Sequence, residues 1–183
     1  MPCSTCGEPG HNCLKCPSLV TKAIESTPKA SIPIPEDLNT QTTTLLTQIV
    51  QEVGSILKKG RVECVYQQAI AHELQNHKIV YTSEEVVPIR YKSISIGFER
   101  MDIYLPQENI VLELKATSSD IKPEYLWQLT NYMREKKSPL GLLVNFNQSL
   151  NKGVQTETII QHEEKFFVLK DSWLIPMTNY EFS

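Results

Sequence analysis

Residues 86–146 carry four strand-like runs, one amphipathic stretch and a last apolar run, and that order leaves few folds open. The runs span 86–91, 94–97, 100–105 and 110–116, with turn formers such as Pro106-Gln107-Glu108-Asn109 between them. Tyr125, Leu126, Leu129, Tyr132 and Met133 then recur at helical spacing, and residues 140–146 return as a buried-looking strand. A meander, a helix and a further apolar strand imply a crossover. The expected class is therefore α/β, a mixed central sheet flanked by helices. Upstream, Leu45, Leu46, Ile49, Val50, Val53, Ile56 and Leu57 form a helical stripe, with Asp37 and Asn39 as candidate caps. Gly60 punctuates its end, and Val62, Val65, Tyr66, Ala69, Ile70 and Leu74 mark a second helix. Residues 154–170 read as one more hairpin, whose strands 158–160 and 166–169 flank Gln161-His162-Glu163-Glu164.

At 183 residues and 40% apolar content the chain can bury a real core. Its net charge of -3 excludes strong whole-molecule attraction to nucleic acid, so any such affinity must come from a local patch or a bound metal. Lys58, Lys59 and Arg61 make one basic run and Arg134, Lys136 and Lys137 another, and both read first as solvated helix ends. No stretch reaches the roughly 20 apolar residues of a membrane span, and no charged-then-apolar start resembles a secretory signal. The expectation is a soluble intracellular protein, of cytoplasm or nucleus, with no membrane partner. Cys64, in a helical stretch, is expected to be a buried inert thiol. His72, His77 and His162 have no ligand spacing among them.

The chemistry-bearing pattern is Glu113-Leu114-Lys115, preceded by Asp102 at the distance of one β-hairpin. Alternation on a strand puts Glu113 and Lys115 on one face and leaves Leu112 and Leu114 for packing. Asp102 can meet them across the hairpin. Two acids and a lysine on one concave face can hold a divalent cation and orient a water, the parts needed to hydrolyse a phosphodiester.

Gly60-Arg61-Val62-Glu63-Cys64-Val65-Tyr66 matches a G-x-x-E-x-x-Y pattern. It is followed by Ala71-His72-Glu73-Leu74, Pro88-Ile89-Arg90-Tyr91-Lys92, Arg100-Met101-Asp102, Glu113-Leu114-Lys115, Gln128-Leu129-Thr130-Asn131-Tyr132 and Gly141-Leu142-Leu143-Val144-Asn145-Phe146. In these blocks and their order the chain resembles the GxxExxY family of the PD-(D/E)XK nuclease superfamily, over roughly residues 45–150. The resemblance implies a restriction-endonuclease-like sheet between helices. It assigns Asp102 and Glu113 to Mg²⁺ or Mn²⁺, with the Leu114 carbonyl as a further ligand and Lys115 beside the attacking water. Glu63 would add a carboxylate or hold a metal-bound water, and Gln128 would orient Lys115 or a phosphate. The chain departs from the family where Val53-Gly54 replaces a Val-His dipeptide and Lys58-Lys59-Gly60 replaces a Gly-Pro-Gly turn, which implies a more basic loop near the site.

Four of the five cysteines crowd into the first sixteen residues, which favours metal over disulfides. Cys3, Cys6, His11 and Cys16 fit C-x2-C-x4-H-x4-C with Gly10 before the histidine, and this resembles a CCHC zinc knuckle with a closed structural Zn²⁺ site. Using Cys13 in place of His11 is the alternative set. The expected organisation is a knuckle at 1–17, a linker at 18–37 rich in Pro, Ser, Thr and Lys, and a nuclease-like domain at 38–183. Knuckles commonly bind single-stranded nucleic acid, so nucleic acid, DNA or RNA, is the expected partner, with protein docking the competing role since Lys15 is the module's only basic side chain. Joined to such a nuclease domain, a knuckle also fits a viral or mobile-element product. The functional expectation is a metal-dependent nuclease. Its rival is a non-catalytic nucleic-acid-binding or adaptor protein that keeps the nuclease fold.

Overall fold

The computed structural model describes residues 40–171 and 173–180. The cysteine module, the linker and the candidate caps Asp37 and Asn39 lie outside the described residues. Helix α1 (Thr40–Leu57) buries Leu46, Ile49, Val50 and Val53. Ile56 falls off that stripe and is exposed. Gly60, with φ +85°, makes the turn that ends this segment. Helix α2 (Glu63–Asn76) starts at its acid, which suits the positive end of the helix dipole, and it buries Tyr66, Gln67, Ile70 and Leu74. No helix among the described residues is long and apolar enough to cross a membrane.

Among the described residues the sheet has seven strands in chain order: β1 (Thr82–Tyr91), β2 (Ile94–Leu105), β3 (Ile110–Lys115), β4 (Leu140–Phe146), β5 (Val154–His162), β6 (Lys165–Lys170) and β7 (Trp173–Pro176). All neighbours are antiparallel except β3 and β4, which pair in parallel from Ile110↔Leu140 to Lys115↔Asn145. Helix α3 (Pro123–Lys136) makes the connection that a parallel pair requires. It lies so close to β4 that a Cβ on Gly141 would meet the Met133 sulfur at 2.6 Å. Any side chain there would force Met133 and Leu129 to shift.

The mixed sheet flanked by helices is thus as the sequence predicts, with three differences in detail. The runs 94–97 and 100–105 form one strand, because β1 supplies a partner across the gap, Ile89↔Gly97 through Val86↔Arg100. The last hairpin is longer than expected, since Glu163 and Glu164 alone make the turn, both at positive φ, and His162 pairs directly with Lys165. β7 then adds an edge too short to stand out by periodicity. Cys64 is also corrected: it is exposed, pointing away from the buried Tyr66–Ile70 face of α2.

Two cores sandwich the sheet. On one face α1 and α2 pack Leu46, Ile49 and Ile70 against Ile103, Leu112 and Leu142. On the other, α3 packs Leu126, Leu129 and Met133 against Val111, Leu143 and Ile159. Burial on both faces explains why β3 and β4 read as continuous apolar runs.

Candidate active site

Alternation along β3 sends Leu112 and Leu114 into the α1–α2 core, and Val111 into the α3 core. Glu113 and Lys115 share the parity of Val111, so a carboxylate enters a layer otherwise filled with hydrocarbon. Glu113 is only 1% exposed. One of its oxygens, Oε1, takes a hydrogen bond from the Lys115 ammonium, while Oε2 is buried without a partner.

Asp102 reaches this pair by a local break in the ladder. The β2–β3 register runs only over Ile103↔Leu112 to Leu105↔Ile110. Beyond it the Leu114 N–H donates to Asp102 Oδ2 at 2.7 Å, so a carboxylate stands where a strand carbonyl would otherwise accept. That substitution pins Asp102 beside Glu113.

Burial, with repulsion from neighbouring carboxylates, makes both acids hard to ionise. Asp102 is pushed up to about 6 by burial, with Glu63 and Glu84 adding to the effect and the Leu114 N–H and Lys115 opposing it. Glu113 is pushed up to about 8 by burial and then by Asp102, against the pull of Lys115. For Lys115 burial favours loss of the proton, yet Glu113, Glu63 and Asp102 outweigh it and raise the pKa, so the amine stays cationic. Glu63, half-buried at the start of α2, is raised by burial and by Glu84 and lowered by Lys115 and the Ala116 backbone. Glu63, Asp102, Glu113 and Lys115 therefore form one electrostatic cluster.

Gln128 lies elsewhere in the network. Its Nε2 donates to the Tyr132 hydroxyl at 3.0 Å, and Tyr132 in turn donates to the Arg100 carbonyl at 3.0 Å. Gln128 thus supports the strand that carries Asp102, rather than touching Lys115. Tyr132 itself is pushed up to about 12 by burial, with Glu113 among the charges that add to it.

Two residues escaped the sequence reading. The Gln67 Nε2 donates both to the Asp102 carbonyl and to Glu84 Oε1, each at 2.9 Å. Its signal was present, four residues after Glu63 and so one turn along the same helix face. Glu84 offered none, because its place depends on a left-handed backbone at φ +55° in β1. The Lys59 amine is not free to meet a ligand, since it donates to the Ser149 and Lys152 carbonyls. Lys59 thereby ties the basic loop to the segment 149–152.

Among the described residues no group of three or more His, Cys, Asp and Glu side chains forms a ready cage for an ion. The donor set suits a different kind of binding. Mg²⁺ holds to one or two carboxylates and keeps its remaining positions for water and substrate phosphate. A cation at Asp102 and Glu113 would satisfy the bare Glu113 oxygen and offset the burial that, with neighbouring carboxylates, raises both acids.

A family model for the PD-(D/E)XK nuclease superfamily matches residues 39–157. The chain belongs to that superfamily. No curated protein and no solved structure matches it. The matched span runs from the helix before the site into the first half of β5, and so contains every acid of the cluster.

Proposed function

We propose that this protein is a Mg²⁺- or Mn²⁺-dependent nuclease of the GxxExxY type, hydrolysing phosphodiester bonds in nucleic acid. The observation that carries the reading is the Glu113 carboxylate, buried, bare on one oxygen and set against Asp102 and Lys115. Asp102 and Glu113 would hold such an ion, and Glu63 would supply a third carboxylate or a hydrogen-bond acceptor beside it. When bound, the ion supplies Lewis-acid charge and acidifies a water. Lys115 remains protonated and stabilises charge gathering on the phosphate. Gln67 holds the backbone at Asp102, and Gln128 acts through Tyr132 on the same strand. The knuckle ligands Cys3, Cys6, His11 and Cys16 bind Zn²⁺ and tether the domain to its substrate through the 18–37 linker.

Labelled single- and double-stranded DNA and RNA, incubated with Mg²⁺ or Mn²⁺, test the reading against Lys115→Ala and Asp102→Ala. Cleavage that chelation and either substitution abolish is the expected result. Equal turnover in the variants would refute the assignment. The adaptor reading draws on the net charge of -3 and on Gly54 standing where the family has histidine. It predicts binding by parent and variants alike, with no cutting by either.

A further inference from the structure

Tyr125 lies in the first turn of α3 and is half-buried against the core that Leu126 and Leu129 fill. Its ring also meets two charges, which packing alone does not ask for. The Lys115 ammonium lies over it at 5.5 Å from the ring centre, and the Lys122 ammonium at 5.9 Å. Both are within the reach of about 6 Å over which a cation is drawn to the negative face of an aromatic ring. The order of the chain makes this meeting. Lys115 ends β3, Lys122 immediately precedes α3, and the Tyr125 N–H donates to the Lys122 carbonyl at 3.1 Å. Two lysines that repel each other thus share one ring, and one of them belongs to the acid cluster.

A lysine carries its charge and three N–H donors on a flexible stem, so its position has to be imposed from outside. Glu113 Oε1 takes one donor of Lys115. A further carboxylate could fix the amine as well, but it would add to the repulsion that already acts on Asp102 and Glu113. A ring face attracts the charge without neutralising it and without accepting a strong hydrogen bond. It steadies the amine and leaves donors for a phosphate oxygen. Lys115 is 14% exposed, where little water competes for the cation. Lys122 is the outer partner. It is 46% exposed and lies 3.4 Å from the exposed Glu124, a contact that costs little to exchange for an incoming anion.

Resting on the nuclease reading above, we propose that Tyr125 is a positioning residue, whose ring holds Lys115 at the reacting phosphate and Lys122 at a neighbouring one. The substrate is then a chain with several phosphates, and not an isolated phosphate ester.

The test compares the full chain with Tyr125→Phe, which keeps a ring, and with Tyr125→Leu and Tyr125→Met, which keep apolar bulk without one. In lysine-labelled, metal-free protein, NMR should find the Cε protons of Lys115 and Lys122 moved upfield by the ring current. Loss of each signal in Lys115→Ala and Lys122→Ala assigns it. The upfield shifts should persist in Tyr125→Phe and vanish in the two ring-less variants. With Mg²⁺ or Mn²⁺ and labelled oligonucleotide, loss of the ring should lower kcat about tenfold at unchanged Tm, and Tyr125→Phe should restore it. Lys122→Ala should instead raise KM and reduce the slope of log affinity against log salt by about 0.7–0.9, read by anisotropy in EDTA. Shifts that are the same without the ring, or a Tyr125→Phe variant as slow as Tyr125→Leu, overturn the assignment. So does a loss of rate that tracks a loss of Tm in both ring-less variants, since the ring would then only pack. The nuclease reading fails separately. If the parent cuts nothing, shifts that need the ring and a salt slope that needs Lys122 keep the phosphate-holding role, while shifts and a slope indifferent to them overturn it too.

Discussion

Two clusters of buried polar side chains sit on adjacent parallel strands, at register partners Lys115 and Asn145, and they are built in opposite ways. Around Asn145 and Asn147 the groups are paired. Asn145 accepts from the Thr117 N–H at 3.1 Å and donates to the Ser119 carbonyl at 2.8 Å, while Asn147 donates to the same carbonyl at 2.9 Å and accepts from the Ser149 N–H. Around Glu113 an oxygen is bare and two acids repel. The first cluster fixes the loop that follows Lys115 and stabilises the fold. The second holds an electrostatic cost in place.

That contrast can be broken or sharpened by experiment. The largest effect belongs to Lys115→Ala, for which a fall in cleavage rate of about 10²–10³ is expected, with little change in melting temperature. A rate loss explained by unfolding would erase the distinction between the clusters. Asn145→Ala should do the reverse, costing about 2 kcal/mol of stability in a thermal or urea melt by orphaning the Thr117 N–H and leaving the Ser119 carbonyl with Asn147 as its remaining amide donor. Metal affinity and site geometry should survive in whatever fraction stays folded.

pH adds a smaller, graded effect. The native acids are raised to about 6 and about 8, so between roughly pH 4 and 8 the folded protein binds more protons than the unfolded one. Without a divalent ion its stability should therefore fall as pH rises through that window, by at most about 1.4 kcal/mol per pH unit for each proton involved. Melts at pH 5 and 8 in EDTA check the sign. Mg²⁺ or Mn²⁺ should restore stability more at pH 8 than at pH 5, because its ligands must lose protons to bind. The smallest change is expected from Glu113→Gln, which keeps an acceptor for Lys115 but should flatten the pH dependence and abolish the stabilisation by metal. A slope as steep as that of the parent would move the titration to other groups.

The helices, the strands of the central sheet and the proximity of the clustered acids and lysine were readable from local pattern. Period-two alternation put Glu113 and Lys115 together, and the run of apolar residues in β4 announced a strand buried on both faces. Patterns of that kind are local because backbone geometry repeats every two or 3.6 residues. What lacked a local signal depended on neighbours. Arg100 and Gly97 joined one strand only because β1 lay alongside, and Gln128 turned to Tyr132 instead of Lys115 because that hydroxyl was within reach of the same helix face.

The sequence by itself determined the mixed α/β class, the crossover between β3 and β4, and the identity of the acids and lysine that share the site. Tertiary structure alone decided that Asp102 replaces a ladder carbonyl at Leu114, that Gln67 and Glu84 join the cluster, and that Phe98 stays in water while Glu113 does not. Side-chain spacing follows from covalent geometry and is written along the chain. Burial is set by which surfaces close over a residue, and it shifts the acids by removing water that only the assembled sheet and helices can exclude.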